Sequence, residues 1–353
     1  MNDDQILFER VGDWGIITLN RPKVLNALTI EMVSKFREKL IEWRDDSNVR
    51  GVLTKGAGDR AFCAGGDIRF VWEVGRDRKD EAVTFFREEY RNNSTIYNFP
   101  KPYVALIDGV VMGGGVGVSV HGDFRVAGSK TLFAMPETGI GLFPDVGGGH
   151  FMPRLKDGVG LYYALTGARA NAADCLAAGI ATHYVPPENY AALEDSLCKS
   201  ALGDKPFDVI NAVLSEHSSD PGPAAIDEMR PTISAHFQNP NDFSQLIENL
   251  ENDSSESANS ILQMLLKQSP TSLKVTFQQM LRGQALDFDD VMKMEFRMVH
   301  HILDGHDFYE GVRAQLIDKD RNPQWSPSSL SDVDDQAIEG HFENLGSEEL
   351  KLP

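Results

Sequence analysis

The sequence predicts an α/β protein, and three observations carry that reading. Short β-rich runs alternate with helical ones through the first half of its 353 residues. The second half is mostly amphipathic helix, and two glycine-rich turns stand near strand ends. Strand, helix, strand, helix at this spacing implies crossover connections and a parallel sheet.

Residues 6–10 and 14–20 read as two strands broken by Gly12-Asp13, a hairpin signal. Thr29 is placed to cap a helix running to about residue 45, with Met32, Phe36, Leu40 and Trp43 on one apolar face. A strand at 49–54 ends in the turn-rich Lys55-Gly56-Ala57-Gly58. A second helix covers about 80–97, and a buried strand at 103–107 comes after the Lys101-Pro102 break. After the glycines at 113–115 a short helical stretch leads to a strand at 124–127. Past Pro153 the pattern is helical at 159–166, 172–178 and 190–202, with one last short strand at 180–185. From 205 to 316 amphipathic helices are interrupted at 218–223, 239–242 and 252–257, and the tail after Asp318 is expected to be irregular. The division this suggests is an α/β core over 1–200 and a helical region over 201–353 packed back onto it.

Composition narrows the function. With 41% hydrophobic and 25% charged residues the chain can bury a substantial core. Its formal net charge of -19 argues against general affinity for nucleic acid or an anionic membrane, which want surplus Lys and Arg. A local basic patch for one phosphorylated ligand is compatible with that balance. Cys63, Cys175 and Cys198 are too scattered for a disulfide framework or a zinc site, so a reducing compartment is expected. The acidic first residues carry no apolar leader, and no stretch approaches the roughly 18 apolar residues of a membrane span. The expectation is a cytoplasmic protein, with the mitochondrial matrix as the alternative if a transit peptide has been removed.

The two glycine-rich turns are Ala61-Phe62-Cys63-Ala64-Gly65-Gly66-Asp67 and Met112-Gly113-Gly114-Gly115-Val116-Gly117. Glycine lets the main chain approach a ligand closely, and each turn could begin a helix with free N–H groups. Two such amides aimed at one point make an oxyanion hole. Neither turn fits a P-loop or a dinucleotide fingerprint.

These turns, with Asn20-Arg21-Pro22-Lys23-Val24-Leu25-Asn26-Ala27-Leu28 before them and Phe133-Ala134-Met135-Pro136-Glu137 after, occur in the order and spacing of crotonases, the enoyl-CoA hydratase/isomerase superfamily, which the chain resembles over about residues 14–185. The resemblance implies a ββα spiral core with a helical C-terminal region and an acyl-CoA bound in an extended groove. It implies a thioester oxygen held by the amides of Gly66 and Gly114, and a substrate lined by Ala64, Asp67 and Ile68, with the Ala64 carbonyl near the adenine. Coenzyme A is then part of the substrate, no separate cofactor is needed, and a homo-oligomer is compatible with the family.

The departure from the hydratase pattern is informative. Hydratases of the family use two glutamates; the second corresponds to Glu137, whereas the first falls on Gly117, which has no side chain. A different carboxylate, Asp145, appears eight residues after Glu137, in the stretch Glu137 to Gly149. That stretch, Ser119 to Ala127, Ser269 to Thr276 and Phe308 to Trp325 resemble the 3-hydroxyisobutyryl-CoA hydrolase branch, in which Glu89 matches a further acidic position near the substrate. The resemblance implies thioester hydrolysis, with Glu137 as general base or nucleophile and Asp145 orienting the acyl group or sharing the proton work. Alternatives are a hydratase or isomerase, and a CoA-binding protein without catalysis. His121 reads as a structural hydrogen bonder, Cys63 as packing, and His300, His301 and His306 lack metal-ligand spacing. Lys319 and Arg321 read as a surface charge run rather than phosphate ligands.

Overall fold

The computed structural model describes residues 4–240 and 242–353; Asn241, inside the expected break at 239–242, and the first three residues lie outside them. In chain order the first half contains β1 (Ile6–Val11), β2 (Trp14–Leu19), α1 (Ile30–Asp45), β3 (Gly51–Gly56), β4 (Ala61–Cys63), α2 (Ile68–Gly75), α3 (Lys79–Tyr97), β5 (Tyr103–Leu106), β6 (Val110–Met112), α4 (Gly114–Gly117), β7 (Phe124–Ala127), β8 (Leu132–Ala134), α5 (Gly148–Phe151), α6 (Val159–Thr166), β9 (Ala170–Asn171), α7 (Ala172–Ala178) and β10 (His183–Tyr184). The Thr29 side chain accepts from Met32 N–H, satisfying one of the orphan donors at the start of α1, whose Met32, Phe36, Leu40 and Trp43 are buried.

The strands form two sheets rather than one. The larger has the order β1-β2-β3-β5-β7-β10, antiparallel only at the β1–β2 hairpin; the smaller is β4-β6-β8-β9, antiparallel only at β8–β9. The reason lies in the short turns after β3, β5 and β7. Each hands the chain from the large sheet to the small one, so β3/β4, β5/β6 and β7/β8 repeat one motif, the ββα spiral that the family resemblance implies.

Alternation explains how the large sheet is covered. Ile17, Val52 and Ala105 belong to the main apolar core with α1 and α3, while their neighbours Ile16, Leu53 and Val104 face Leu193, Leu197, Ile210 and Leu214. Both faces are buried, which is how parallel strands come to read as continuous apolar runs. The second half adds α8 (Pro187–Lys199), α9 (Pro206–His217), α10 (Ala225–Phe237), α11 (Phe243–Asn252), α12 (Glu256–Leu265), α13 (Pro270–Gly283), α14 (Phe288–Ile302), α15 (Asp307–Val312) and α16 (Asp335–Gly340). Leu273, Phe277, Phe296 and Val299 of α13 and α14 join Phe85, Phe86 and Tyr90 of α3 in one core.

Several boundaries differ from expectation. The strand expected at 49–54 begins at Gly51, and that expected at 180–185 pairs only over His183–Tyr184. The helix expected at 190–202 is Pro187–Lys199, because Pro187, with no N–H to lose, opens it at the first turn. The tail after Asp318 is irregular except for short helical turns and α16. For function the decisive consequence is that β4, β6 and β8 are parallel neighbours about 4.8 Å apart. The loops leaving their C-terminal ends are therefore brought together, at the usual place for ligands in such sheets.

Candidate active site

The chain leaves β4 through Ala64-Gly65-Gly66. Leu28 N–H donates to Gly65 O and Asp67 N–H donates to Leu28 O, both at 2.9 Å, which pins the loop on either side of Gly66. It leaves β6 through Gly113-Gly114, with Gly113 at φ +47, a conformation that favours glycine. The two loops touch: a Cβ at Gly114 would stand 3.0 Å from Gly66 N and would overlap Glu89 Oε1. Neither Gly66 N–H nor Gly114 N–H donates to a group among the described residues. The helix α4 is a single turn, so these donors act as individual amides rather than through a long helix dipole.

Beyond β8 the chain runs into Pro136-Glu137. Glu137 starts a short 3₁₀ turn and is buried, with Oε1 3.1 Å from where a Cβ on Gly113 would stand and Oε2 without a partner among the described residues. Asp145 lies in the loop leading to α5 and accepts from Tyr90 Oη at 3.0 Å. Glu89 comes from α3, is 2% exposed, and its Oε1 also lacks a partner among the described residues.

The electrostatics are those of crowded, dry carboxylates. Burial raises Glu89 and Glu137 well above the usual carboxylate range, and the charge of Asp145 raises both further. Burial lifts Asp145 to about 7, against the pull of the Tyr90 hydrogen bond. Because Asp145 has a donor and Glu89 has none among the described residues, a proton shared between them resides on Glu89. A fourth carboxylate, Glu295 of α14, is raised by burial to about 8 despite accepting from Gly147 N–H and Gly149 N–H.

The eight residues expected from the sequence to form the site, Ala64, Gly66, Asp67, Ile68, Glu89, Gly114, Glu137 and Asp145, line one cleft of about 850 Å³. Arg21, Lys23, Arg60, Arg69, Arg169 and Lys319 also line it, giving a chain of net charge -19 a cationic rim suited to phosphates. Lys319 thus belongs to the cleft and not to a bland surface run, whereas Arg321 is not among the lining residues. Asp67 is engaged already, capping α2 through Phe70 N–H and meeting Arg21 at 3.4 Å. Gly117 points away from open space: a Cβ there would stand 2.7 Å from both Asn93 Nδ2 and Val146 Cβ.

The remaining candidates behave structurally. His121 Nε2 meets Val146 O at 2.7 Å, and burial lowers the ring to about 4, so it stays neutral. Cys63 is fully buried, its thiol pushed up to about 12. No group of His, Cys, Asp or Glu among the described residues is arranged to hold a metal. Sequence reasoning missed Tyr90 and Glu295. The signal for Glu295 was present, since it falls at helical spacing within the apolar stripe Phe288, Val291, Met292, Met298, Val299, Ile302.

A family model described as enoyl-CoA hydratase/isomerase matches residues 14–342. The mitochondrial 3-hydroxyisobutyryl-CoA hydrolases of Danio rerio and Homo sapiens are 48% and 46% identical to the chain, covering 99% of it and 92% and 91% of their own lengths. Among solved structures, a carnitinyl-CoA dehydratase from Mycobacterium thermoresistibile superposes with a TM-score of 0.91 at 36% identity, covering 99% of both chains. The cytoplasmic expectation does not survive these relatives, whose names are mitochondrial; it rested on the composition of the first residues, which carries no information about what compartment the relatives share. No helix among the described residues is long and apolar enough to cross a membrane.

Proposed function

This chain belongs to the enoyl-CoA hydratase/isomerase family, and we propose that it hydrolyses 3-hydroxyisobutyryl-CoA to 3-hydroxyisobutyrate and coenzyme A, a reaction of valine breakdown. Hydrolase relatives nearly half identical over almost the whole chain support the substrate. The observation that carries the chemistry is the close approach of the Gly66 and Gly114 loops, so close that a Cβ on Gly114 would stand 3.0 Å from Gly66 N, beside the buried Glu137.

Coenzyme A enters as part of the substrate, its phosphates toward the cationic rim and its thioester toward the ends of β4, β6 and β8. The two N–H groups donate to the thioester oxygen and hold it more tightly as it becomes an oxyanion. Glu137, as its carboxylate, works on the thioester carbon. It either takes a proton from the water that attacks that carbon or attacks the carbon itself to form a mixed anhydride, which water then hydrolyses to release the acid and restore the carboxylate. Collapse of the intermediate expels the CoA sulfur, which takes up a proton. Glu89 is neutral at that moment, because a second negative charge against the oxyanion would oppose its formation; burial supports that state. Asp145, held by Tyr90, faces the acyl end and shares the proton work.

A second reading, addition or removal of water at a carbon–carbon double bond, is favoured by the name of the carnitinyl-CoA dehydratase. It is opposed by Gly117, which supplies no carboxylate and is walled by Asn93 and Val146. The deciding experiment compares thiol release from 3-hydroxyisobutyryl-CoA with hydration of crotonyl-CoA. Efficient thiol release with negligible hydration is expected; the reverse would replace the hydrolase reading, and neither would point to a CoA-binding protein without catalysis.

A further inference from the structure

The loop that carries Asp145 is bent against its own sequence. Val146, a β-branched residue, has φ +52, and Gly147 comes next at φ +89. L side chains rarely adopt such angles, and β-branched ones least of all, so the bend persists only where neighbours over-determine it.

Those neighbours come from two directions. From the core, Tyr90 donates to the Asp145 carboxylate and His121 meets Val146 O. From the helical C-terminal region, Glu295 Oε2 accepts from Gly147 N–H and Glu295 Oε1 from Gly149 N–H, each at 2.8 Å. Gln279 Nε2 of α13 donates to Glu295 Oε1 at 3.0 Å and to Pro144 O at 2.7 Å. Both Glu295 and Gln279 are fully buried. The groups that act on Glu295 are N–H donors and another carboxylate, with no cation among them.

An unpaired carboxylate in a dry interior is an expensive way to fill space. Leucine or methionine would suit the same stripe of α14 far better as core, so packing does not account for a glutamate there. Its two oxygens instead match two backbone N–H groups two residues apart.

We propose that Glu295, with Gln279, is a positioning residue for the hydrolysis: it clamps the strained 144–149 loop so that Asp145 faces Glu89 and Glu137 in the cleft. It reaches no substrate itself. The catalytic part of this rests on the hydrolase reading; the clamp does not.

Glu295→Gln keeps the size but, compared above about pH 8 where Glu295 is ionised, turns one acceptor into a donor facing an N–H. The full-length variant should lose turnover by about 10²-fold, the usual cost of a misplaced catalytic group. KM should stay within about threefold, because CoA is held by other loops. Amide hydrogen exchange should rise over 144–149 and stay as in the parent protein over 64–67 and 113–117. Gln279→Met, which cuts the Pro144 tie, should repeat the pattern and serves if Glu295→Gln does not fold. Unchanged exchange over 144–149 overturns the clamp, as does exchange rising throughout the chain with KM and turnover failing together. If the parent protein releases no thiol, the hydrolase reading fails while the exchange measurement still decides the clamp.

Discussion

Gly114→Ala adds one methyl group at the place where the structure has least room. Its carbon would overlap Glu89 Oε1, and would stand 3.0 Å from Gly66 N and 3.3 Å from Gly65 C. Glu89 is 2% exposed and backed by the core, but its carboxylate is the flexible end of a side chain that lines the cleft, so relief of the overlap pushes it into the space meant for substrate. Overpacking of this kind costs about 1–3 kcal/mol of stability. The larger effect is on chemistry. Parting the two loops takes one N–H off the developing oxyanion, a loss of about 10²–10³ in turnover, or roughly 2.7–4 kcal/mol. The neutral thioester oxygen depends on that donor less than the oxyanion does, so kcat should fall much more than KM rises. The assay is thiol release from 3-hydroxyisobutyryl-CoA across a concentration series, beside a thermal melt. The double variant Gly114→Ala with Glu89→Ala removes the overlap, and stability should recover while turnover does not. A folded Gly114→Ala protein with turnover within about twofold of the parent would refute the two-amide geometry.

Glu137→Gln preserves shape and removes basicity, so turnover should drop by about 10²–10⁴-fold while affinity for the CoA thioester, read by calorimetry, is retained; near-normal turnover would remove Glu137 from the chemistry. Gly117→Glu should create no efficient crotonyl-CoA hydration and should impair hydrolysis, since its Cβ alone starts 2.7 Å from Asn93 Nδ2 and Val146; robust hydration would reverse the reading of position 117. Asp145 is raised from an ordinary value of about 3.9 to about 7, so the folded state binds its proton more tightly than the unfolded state does, and stability is lost as pH rises between those values. Asp145→Asn cannot ionise yet can still accept from Tyr90, so its melting temperature should gain on the parent from about pH 4 to about pH 8; a difference independent of pH would contradict the buried-carboxylate picture.

Much of the fold is legible in the sequence for a physical reason. Strands such as Trp14–Leu19 and Gly51–Gly56 are buried on both faces and stand out as apolar runs, and Thr29 marks the start of α1 through its own hydrogen bond. The small sheet is harder to see. The three-residue strands β4, β6 and β8 are too short for a periodic pattern, so one sheet is expected where there are two. The glycine turns and Glu137 are legible as motifs, but their meeting is a property of strand order, which no local pattern carries. Tyr90 is hidden beside two glutamates on α3, and Glu295 lies 150 residues beyond Asp145, joined to its loop only by tertiary packing. Burial also separates two residues that look alike in sequence: Glu88 pairs with Arg37 and Arg91 near the surface, while its neighbour Glu89 turns into the cleft without a partner among the described residues.

The most direct measurement is a crystal structure of the Glu137→Gln protein with 3-hydroxyisobutyryl-CoA bound. The thioester oxygen should lie about 2.7–3.1 Å from both Gly66 N and Gly114 N, with residue 137 facing the thioester carbon and Asp145 beside the acyl group. A thioester oxygen bound away from either amide, or residue 137 turned from the carbon, would contradict catalysis by this pair of loops.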